Sequence, residues 1–292
     1  ETADIINNIA RERSYELRVF HVPKTIDNDL RVTDHCPGYG SAARYVACCF
    51  AGNDLDNRAL PGVKIDIVMG RHAGWLTAAS ALARIDETCG PHLIYMPEKP
   101  ISLEKMSDDI ATVYEKHGRC LVACSEGVTG PDGKLLIESE ITEKDSHGNV
   151  QLSGSGALGD FIAGAVKNAL KEKYPNIRIR TDTLGYAQRS FVGTYSDVDA
   201  NEARMVGEAA VKYAMKGDID GSVAINRFPG DEYVVEPMLA KLSDVARVTK
   251  DLPEEYINAE GNNVTQEFID YVTPIVGKLP EIGLLEQKTY KK

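Results

Sequence analysis

No run of apolar residues in this sequence approaches the roughly 18 that a membrane-spanning helix requires. Nor does it open on the basic, apolar and small-residue order of a secretory leader. Basic residues are in deficit, with 33 Lys and Arg against 44 Asp and Glu and a formal net charge of -11. That balance excludes the general positive field by which nucleic-acid and anionic-membrane binders work. It leaves room for a local Arg and Lys cluster that holds a small anion. Six cysteines are present and none forms a C-x-x-C pair. Cys48 and Cys49 fall in an apolar helical run, and Cys120 and Cys124 flank a short apolar strand. We read all six as reduced thiols in a cytoplasmic compartment, rather than as a disulfide framework or a metal cage. Internal repeats and low-complexity segments are also missing.

What is there is a chain of 292 residues, 43% hydrophobic and 26% charged, long enough to bury one large or two ordinary cores without staples. Its periodicity predicts helices over 3–12, 40–51, 73–84 and 102–117, another from after residue 153 to about 173, and two more over 199–215 and 266–276. Short apolar strands are predicted at 17–22, 63–69, 92–96, 120–124, 177–184 and 222–226. Residues 129–153, with Gly, Pro, Asp and Ser and no period, read as a long loop or hairpin. Strands alternating with helices predict an α/β fold with parallel sheets flanked by helices. Ligands of such sheets sit at the carboxyl ends of the strands, so the loops there are where chemistry is expected.

Four of those loops carry it. Residues 23–29, PKTIDND, put a Lys, a Thr hydroxyl and two Asp directly after a strand. Carboxylates there suit a general base or Mg²⁺, and the Lys suits phosphate, although a polar turn with an Asx cap has the same composition. Residues 69–75, MGRHAGW, offer a Gly for close backbone approach and an Arg at a helix start, which suits an anion as well as an ordinary turn with a solvated Arg. Residues 125–127, SEG, place a carboxylate that can accept hydrogen bonds from sugar hydroxyls, or simply face solvent. Residues 184–189, LGYAQR, follow a strand bearing Arg178 and Arg180, and Tyr186 with Arg189 can clamp a phosphate or form a surface turn. A match to G-x-G-x-x-G at 154–159 follows a polar loop, and no ribose acid lies at the right distance. We read those glycines as a helix entrance with close packing and expect no NAD.

In this order PKTIDND, MGRHAGW, SEG and LGYAQR resemble the phosphofructokinase family, over about residues 15–230. The resemblance implies two Rossmann-like lobes and phosphoryl transfer to the 1-hydroxyl of fructose 6-phosphate with Mg²⁺ as cofactor. It makes Asp27 the general base and Thr25 and Ile26 its substrate-contacting neighbours. Asp29 would support Mg²⁺ or its water shell. Met69, Gly70 and Arg71 would face the sugar phosphate and the transferring group, and Glu126 would accept from sugar hydroxyls. Tyr186 and Arg189 would clamp the 6-phosphate, with Arg180 in the place where a neighbouring subunit often contributes a basic residue. Lys24 bears on the donor. ATP-dependent relatives usually carry Gly-Thr-Ile-Asp-Asn-Asp, whereas the pyrophosphate-dependent branch carries Pro-Lys-Thr. Tyr186 stands where ATP-dependent relatives commonly have His. Both residues favour pyrophosphate over ATP.

The family's Gly-rich donor-phosphate loop of GGD type, with its Mg²⁺-binding Asp and the first strands of the fold, is expected upstream of Glu1, which reads as lying inside a helix. The implied division gives 1–37 with 190–235 to a donor lobe, 38–189 to a sugar lobe, and 236–292 to a C-terminal extension. A homodimer or homotetramer is implied. An ATP-dependent enzyme and a non-catalytic regulatory or sugar-phosphate-binding subunit are the rival readings; an intact Asp27 opposes the second.

Overall fold

The computed structural model describes residues 2–138, 156–218, 220–246 and 248–284. The chain opens with α1 (Thr2–Glu12) and β1 (Val19–His21), followed by a long loop to α2 (Tyr39–Ala59). Then come β2 (Val63–Val68), α3 (Trp75–Ala79), β3 (Leu93–Tyr95), α4 (Leu103–His117) and β4 (Cys120–Ser125). After the undescribed segment follow α5 (Ala157–Leu170), β5 (Ile179–Thr183), α6 (Asp197–Lys216) and β6 (Asp220–Arg227). The chain closes with β7 (Val235–Ala240), α7 (Leu242–Val245) and α8 (Gln266–Val276).

Two sheets result. The larger has the order β3-β4-β2-β5 and is parallel throughout. The smaller has the order β1-β6-β7, with β1 parallel and β7 antiparallel to β6. Sequence order explains the large sheet: each strand returns through a helix, so each new strand lies parallel to the last.

The side-chain alternation of β2 and β4 divides the large sheet's two faces. Val63, Ile65, Ile67, Val122 and Cys124 share one core with Met106 and Ile110 of α4 and Ile162 and Val166 of α5. Val68, Leu121 and Ala123 share another with Phe50 of α2, Trp75 of α3 and Phe268 of α8. On the small sheet α6 covers Val223 and Ile225.

The expected helix over 73–84 is shorter: α3 ends at Ala79 and the chain tightens into a 3₁₀ turn over Ser80–Ala83. The stretch after Pro229 holds more structure than its sequence shows. β7 joins the small sheet and α8 packs in the α2–α3 core. Pro237 within β7 hides the strand, because proline cannot donate to a ladder and is tolerated at a sheet edge. β7 is such an edge. In the predicted loop 129–153, Thr129 and Leu135 form an antiparallel bridge, while 139–155 lie outside the described residues. Gly154 and Ser155 of the G-x-G-x-x-G match lie outside them too. Gly159 packs on β5 so closely that a Cβ would stand 3.0 Å from Thr181 Cβ.

The α2-facing side of β2 carries charge. Lys64 donates from Nζ to Asn53 Oδ1 at 3.1 Å and pairs with Asp182 at 2.8 Å. The fully buried Asp66 accepts from Asn53 Nδ2 at 2.7 Å, while Oδ1 has no hydrogen-bond partner. Burial raises its pKa to about 7, against the opposing pull of Lys64 and Asn53. The folded protein therefore binds a proton here that the unfolded chain releases near pH 3.8, so the stability from this group is lost as pH rises from about 4 through about 7. Asp66→Asn keeps an acceptor for Asn53 and removes the titration. At pH 8 it should unfold later than wild type by an amount on the order of 2–4 kcal/mol, with little difference at pH 4. Urea melts at the two pH values test this, and parallel shifts at both would refute it.

Candidate active site

The first site loop leaves β1 at His21 and bends sharply. Thr25 forms a parallel bridge with Gly38, its N–H donating to Pro37 O at 3.2 Å. The Thr25 hydroxyl accepts from the Asp27 N–H at 3.1 Å and donates to Asp29 Oδ1 at 3.4 Å, an ST-turn that fixes the backbone at Asp27 and the carboxylate of Asp29. Between them Asn28 is buried in the left-handed region at φ 54°, a conformation Asn tolerates better than most residues. Its Oδ1 accepts from Cys36 N at 3.0 Å and its Nδ2 donates to Tyr271 Oη at 3.3 Å. With Asn28 pointing inward, Asp27 and Asp29 stay partly exposed. The far end of the loop is held by Asp199, whose carboxylate accepts from the Gly38 and Ser41 N–H groups at 2.7 and 2.9 Å and so caps the N-terminus of α2.

Asp27 is the electrostatic centre. Burial and the neighbouring Asp29 push its pKa up from the usual carboxylate value, while Arg189, His72 and Lys24 pull it down. Those three basic side chains come from three loops, after β5, β2 and β1 respectively. The carboxyl ends of the two sheets therefore face each other across Asp27.

Around it the loops of the large sheet interlock. Glu126 N–H donates to Val68 O at 2.9 Å, and Leu184 N–H to Ile67 O at 3.0 Å. Ser125 Oγ donates to Gly70 O at 2.7 Å and accepts from Gly127 N–H at 3.0 Å. Gly70 adopts φ 130°, which favours glycine. The buried Gln188 accepts from Met69 N–H at 3.3 Å and donates to Gly185 O at 2.8 Å, which ties LGYAQR to MGR. At that surface the Arg189 guanidinium lies 4.6 Å from the Tyr186 ring centroid, a cation–π contact. Glu126 is 4% exposed, so the solvent-facing reading of SEG does not hold.

The structure thus brings together Lys24, Thr25, Asp27, Asp29, Met69, Gly70, Arg71, Glu126, Tyr186 and Arg189. Ile26 is buried and packs in the α2–α3 core, so its side chain serves the loop's anchorage. Arg180 is not among them. It pairs with Lys64 in the sheet register, and Thr183 ends its strand three residues further on, about 10 Å away. Its guanidinium donates to Asp56 Oδ2 at 2.8 Å and Leu60 O at 3.0 Å. Sequence reasoning missed the role of His72, which lay in plain view inside MGRHAGW. It also missed Tyr271 and Asp199, which act from more than 150 positions away and carry no local signal.

Among the described residues no group of three or more His, Cys, Asp or Glu forms a ready-made metal cage. Mg²⁺ needs none, because it keeps several waters and takes one or two carboxylates plus substrate phosphate oxygens. Asp29, bonded to the Thr25 hydroxyl, and the neighbouring Asp27 fit that donor chemistry. No helix among the described residues is long and apolar enough to cross a membrane.

Comparison with known proteins bears on this site directly. The sequence profile described as Phosphofructokinase matches residues 1–214. The chain is 51% identical over 280 residues to the pyrophosphate--fructose 6-phosphate 1-phosphotransferase of Rhodospirillum rubrum, covering 95% of this chain and 68% of that protein. It is 34% identical over 275 residues to the protein of the same name from Halomonas elongata, covering 93% of this chain and 63% of that protein. This chain thus spans about two thirds of the length of these relatives. Among solved structures, the pyrophosphate-dependent phosphofructokinase of Marinobacter aquaeolei superposes with a TM-score of 0.80 at 31% identity, covering 99% of this chain and 71% of that one. The chain belongs to the phosphofructokinase family.

Proposed function

We infer that the protein is a pyrophosphate-dependent phosphotransferase acting on the 1-hydroxyl of fructose 6-phosphate, with this chain supplying the sugar site and the base. The observation that carries this is the position of Asp27: a proton-seeking carboxylate at the meeting point of two sheets, within the fields of Lys24, His72 and Arg189. Phosphoryl transfer asks for positioning and charge neutralisation more than for covalent chemistry, and that is what such a setting supplies. Asp27 accepts the proton of the 1-hydroxyl as its oxygen bonds to phosphorus. The bridging P–O bond of pyrophosphate breaks and phosphate leaves. The raised pKa makes Asp27 a better acceptor than an ordinary carboxylate.

Arg71 and Glu126, on interlocked loops, are our choice for the groups that orient the sugar phosphate and its hydroxyls. Tyr186 and Arg189 are our choice for the 6-phosphate clamp. Asp29 would hold Mg²⁺ or its water shell, and the ion supplies further charge neutralisation on the transferring group when it is bound. Arg180 would act on the site of a neighbouring copy in a homodimer or homotetramer. The lobe division at residues 37, 189 and 235 and a cytoplasmic location belong to the same reading.

Lys24 is exposed, and its stem crosses Gly38, where a Cβ would stand 3.6 Å from Lys24 Cε. An ammonium held there meets pyrophosphate and crowds a nucleotide's α-phosphate. The test is formation of fructose 1,6-bisphosphate by the full-length enzyme from fructose 6-phosphate and Mg²⁺, with pyrophosphate and ATP in parallel. Turnover with pyrophosphate is expected, and Lys24→Gly should lower kcat/KM for pyrophosphate by about 10- to 100-fold, the worth of one charge-assisted hydrogen bond. Turnover with ATP alone, or an unchanged pyrophosphate rate in Lys24→Gly, would reject the donor assignment.

A further inference from the structure

The loop that presents Asp27 is bent at a cost. Besides Asn28, Val32 adopts a left-handed conformation at φ 69°, which a β-branched side chain resists. Something must over-determine the loop for it to persist. One set of contacts onto it comes from residues 249–252, a stretch whose sequence shows no motif.

Leu30 and Thr249 form an antiparallel bridge, and the Lys250 N–H donates to Asp29 O at 2.7 Å. The Lys250 ammonium then donates to Thr33 O at 3.2 Å and Asp34 O at 2.8 Å, the two carbonyls that follow Val32. The same ammonium lies 4.9 Å from the Trp75 ring centroid, and Lys250 O accepts from Trp75 Nε1 at 3.1 Å. Two residues on, Leu252 N–H donates to Glu98 Oε1 at 2.9 Å, an oxygen that also accepts from Gly74 N–H at 2.8 Å. Gly74 and Trp75 end the MGRHAGW stretch. Lys250 therefore stands between the loop of the base and the loop of the sugar phosphate and is bonded to both.

We propose that Lys250 is a positioning residue for phosphoryl transfer: its ammonium caps the carbonyls of Thr33 and Asp34 against the face of Trp75 and so fixes Asp27 relative to Arg71. An ammonium has three donors and no acceptor, which matches two carbonyls and an aromatic face. Removing it leaves the Thr33 carbonyl without its donor and Asp34 O with the Tyr271 hydroxyl alone, at 2.9 Å, and lets the strained loop relax. A displacement of about 1 Å in a reacting group is worth on the order of 10²-fold in rate. The inference rests on Asp27 being the base.

The experiment compares the full-length wild-type enzyme with Lys250→Met, which keeps the length and loses the charge, and Lys250→Arg, which keeps the charge. Lys250→Met is expected to lower kcat by about 10- to 100-fold, with the KM for fructose 6-phosphate within about 3-fold of wild type. Lys250→Arg is expected to recover most of that loss. An unchanged kcat in Lys250→Met, equal losses in both variants, or a KM that rises as far as kcat falls overturns the proposal. Should Lys250→Met fail to fold, Lys250→Gln carries the same test, with the same kcat-against-KM split expected. A wild-type enzyme without turnover overturns the phosphotransferase reading and this one with it; an active wild type beside an unaltered Lys250→Met overturns this one alone.

Discussion

Asp27→Ser in the full-length enzyme is expected to lower kcat by about 10²- to 10⁴-fold, the usual contribution of a general base, while the KM for fructose 6-phosphate stays within about 3-fold. The split follows from where the residue stands. Burial and Asp29 raise the pKa of Asp27, which suits it to the proton transfer proposed for it. The groups proposed to grip the sugar, Arg71, Glu126 and Arg189, sit on other strands' loops and keep their supports when it is removed. The main-chain bond from residue 27 to the Thr25 hydroxyl also survives the substitution. Deleting a half-buried charge beside Asp29 relieves repulsion, so thermal stability should hold or rise slightly. A variant with near-normal turnover would refute the base assignment. A variant with a large rise in KM would move Asp27 from proton transfer to sugar binding.

The loops were legible in the sequence because each follows an apolar strand, and a strand that ends in polar residues betrays its own carboxyl edge. Ile67 and Val68 lead into Met69-Gly70-Arg71, and Val122 to Cys124 lead into Ser125-Glu126-Gly127. The α/β alternation then places these edges together without further information. What could not be read is whatever depends on a register or on a distant partner. The β5 register sets Arg180 beside Lys64 and Asp56, away from the strands' carboxyl ends, a placement that its nearness to LGYAQR in sequence does not reveal. β7 was hidden by Pro237, whose effect on a ladder depends on whether the strand is central or at an edge.

Long-range supports were the least visible. Lys250 and Tyr271 touch the loop of Asp27 across more than 200 positions of sequence, and neither has a local pattern that marks it. The charges on β2 were visible as letters, but their meaning was not. Lys64 and Asp66 interrupt an apolar strand, and only the arrival of Asn53 from α2 turns them into a bonded pair of sites. A local rule broken in a core strand is thus accounted for by a neighbour that the local sequence does not contain.

Gly127→Ala tests the interlock on which the sugar side of the site depends. Gly127 lies where the β4 loop crosses the β2 loop, and a Cβ there would stand 1.9 Å from Arg71 O and 2.5 Å from Arg71 C. Those are backbone atoms, so no rotamer change can relieve the clash and one loop must move. Overpacking of this kind costs about 3 kcal/mol, which in a chain of this size lowers Tm by roughly 6–12 °C. The loss should extend beyond stability. The displaced backbone carries Arg71, and the Gly127 N–H is held by Ser125 Oγ, which in turn holds Gly70 O. The KM for fructose 6-phosphate should therefore rise by about tenfold or more, the loss of roughly one charge-assisted hydrogen bond. That is the opposite of the pattern expected for Asp27→Ser. Gly52→Ala is the control, because a Cβ at that exposed helical position meets nothing within 4 Å and alanine favours the helix. If Gly127→Ala melts and binds sugar phosphate as wild type does, then Arg71 and Glu126 do not owe their placement to this crossing.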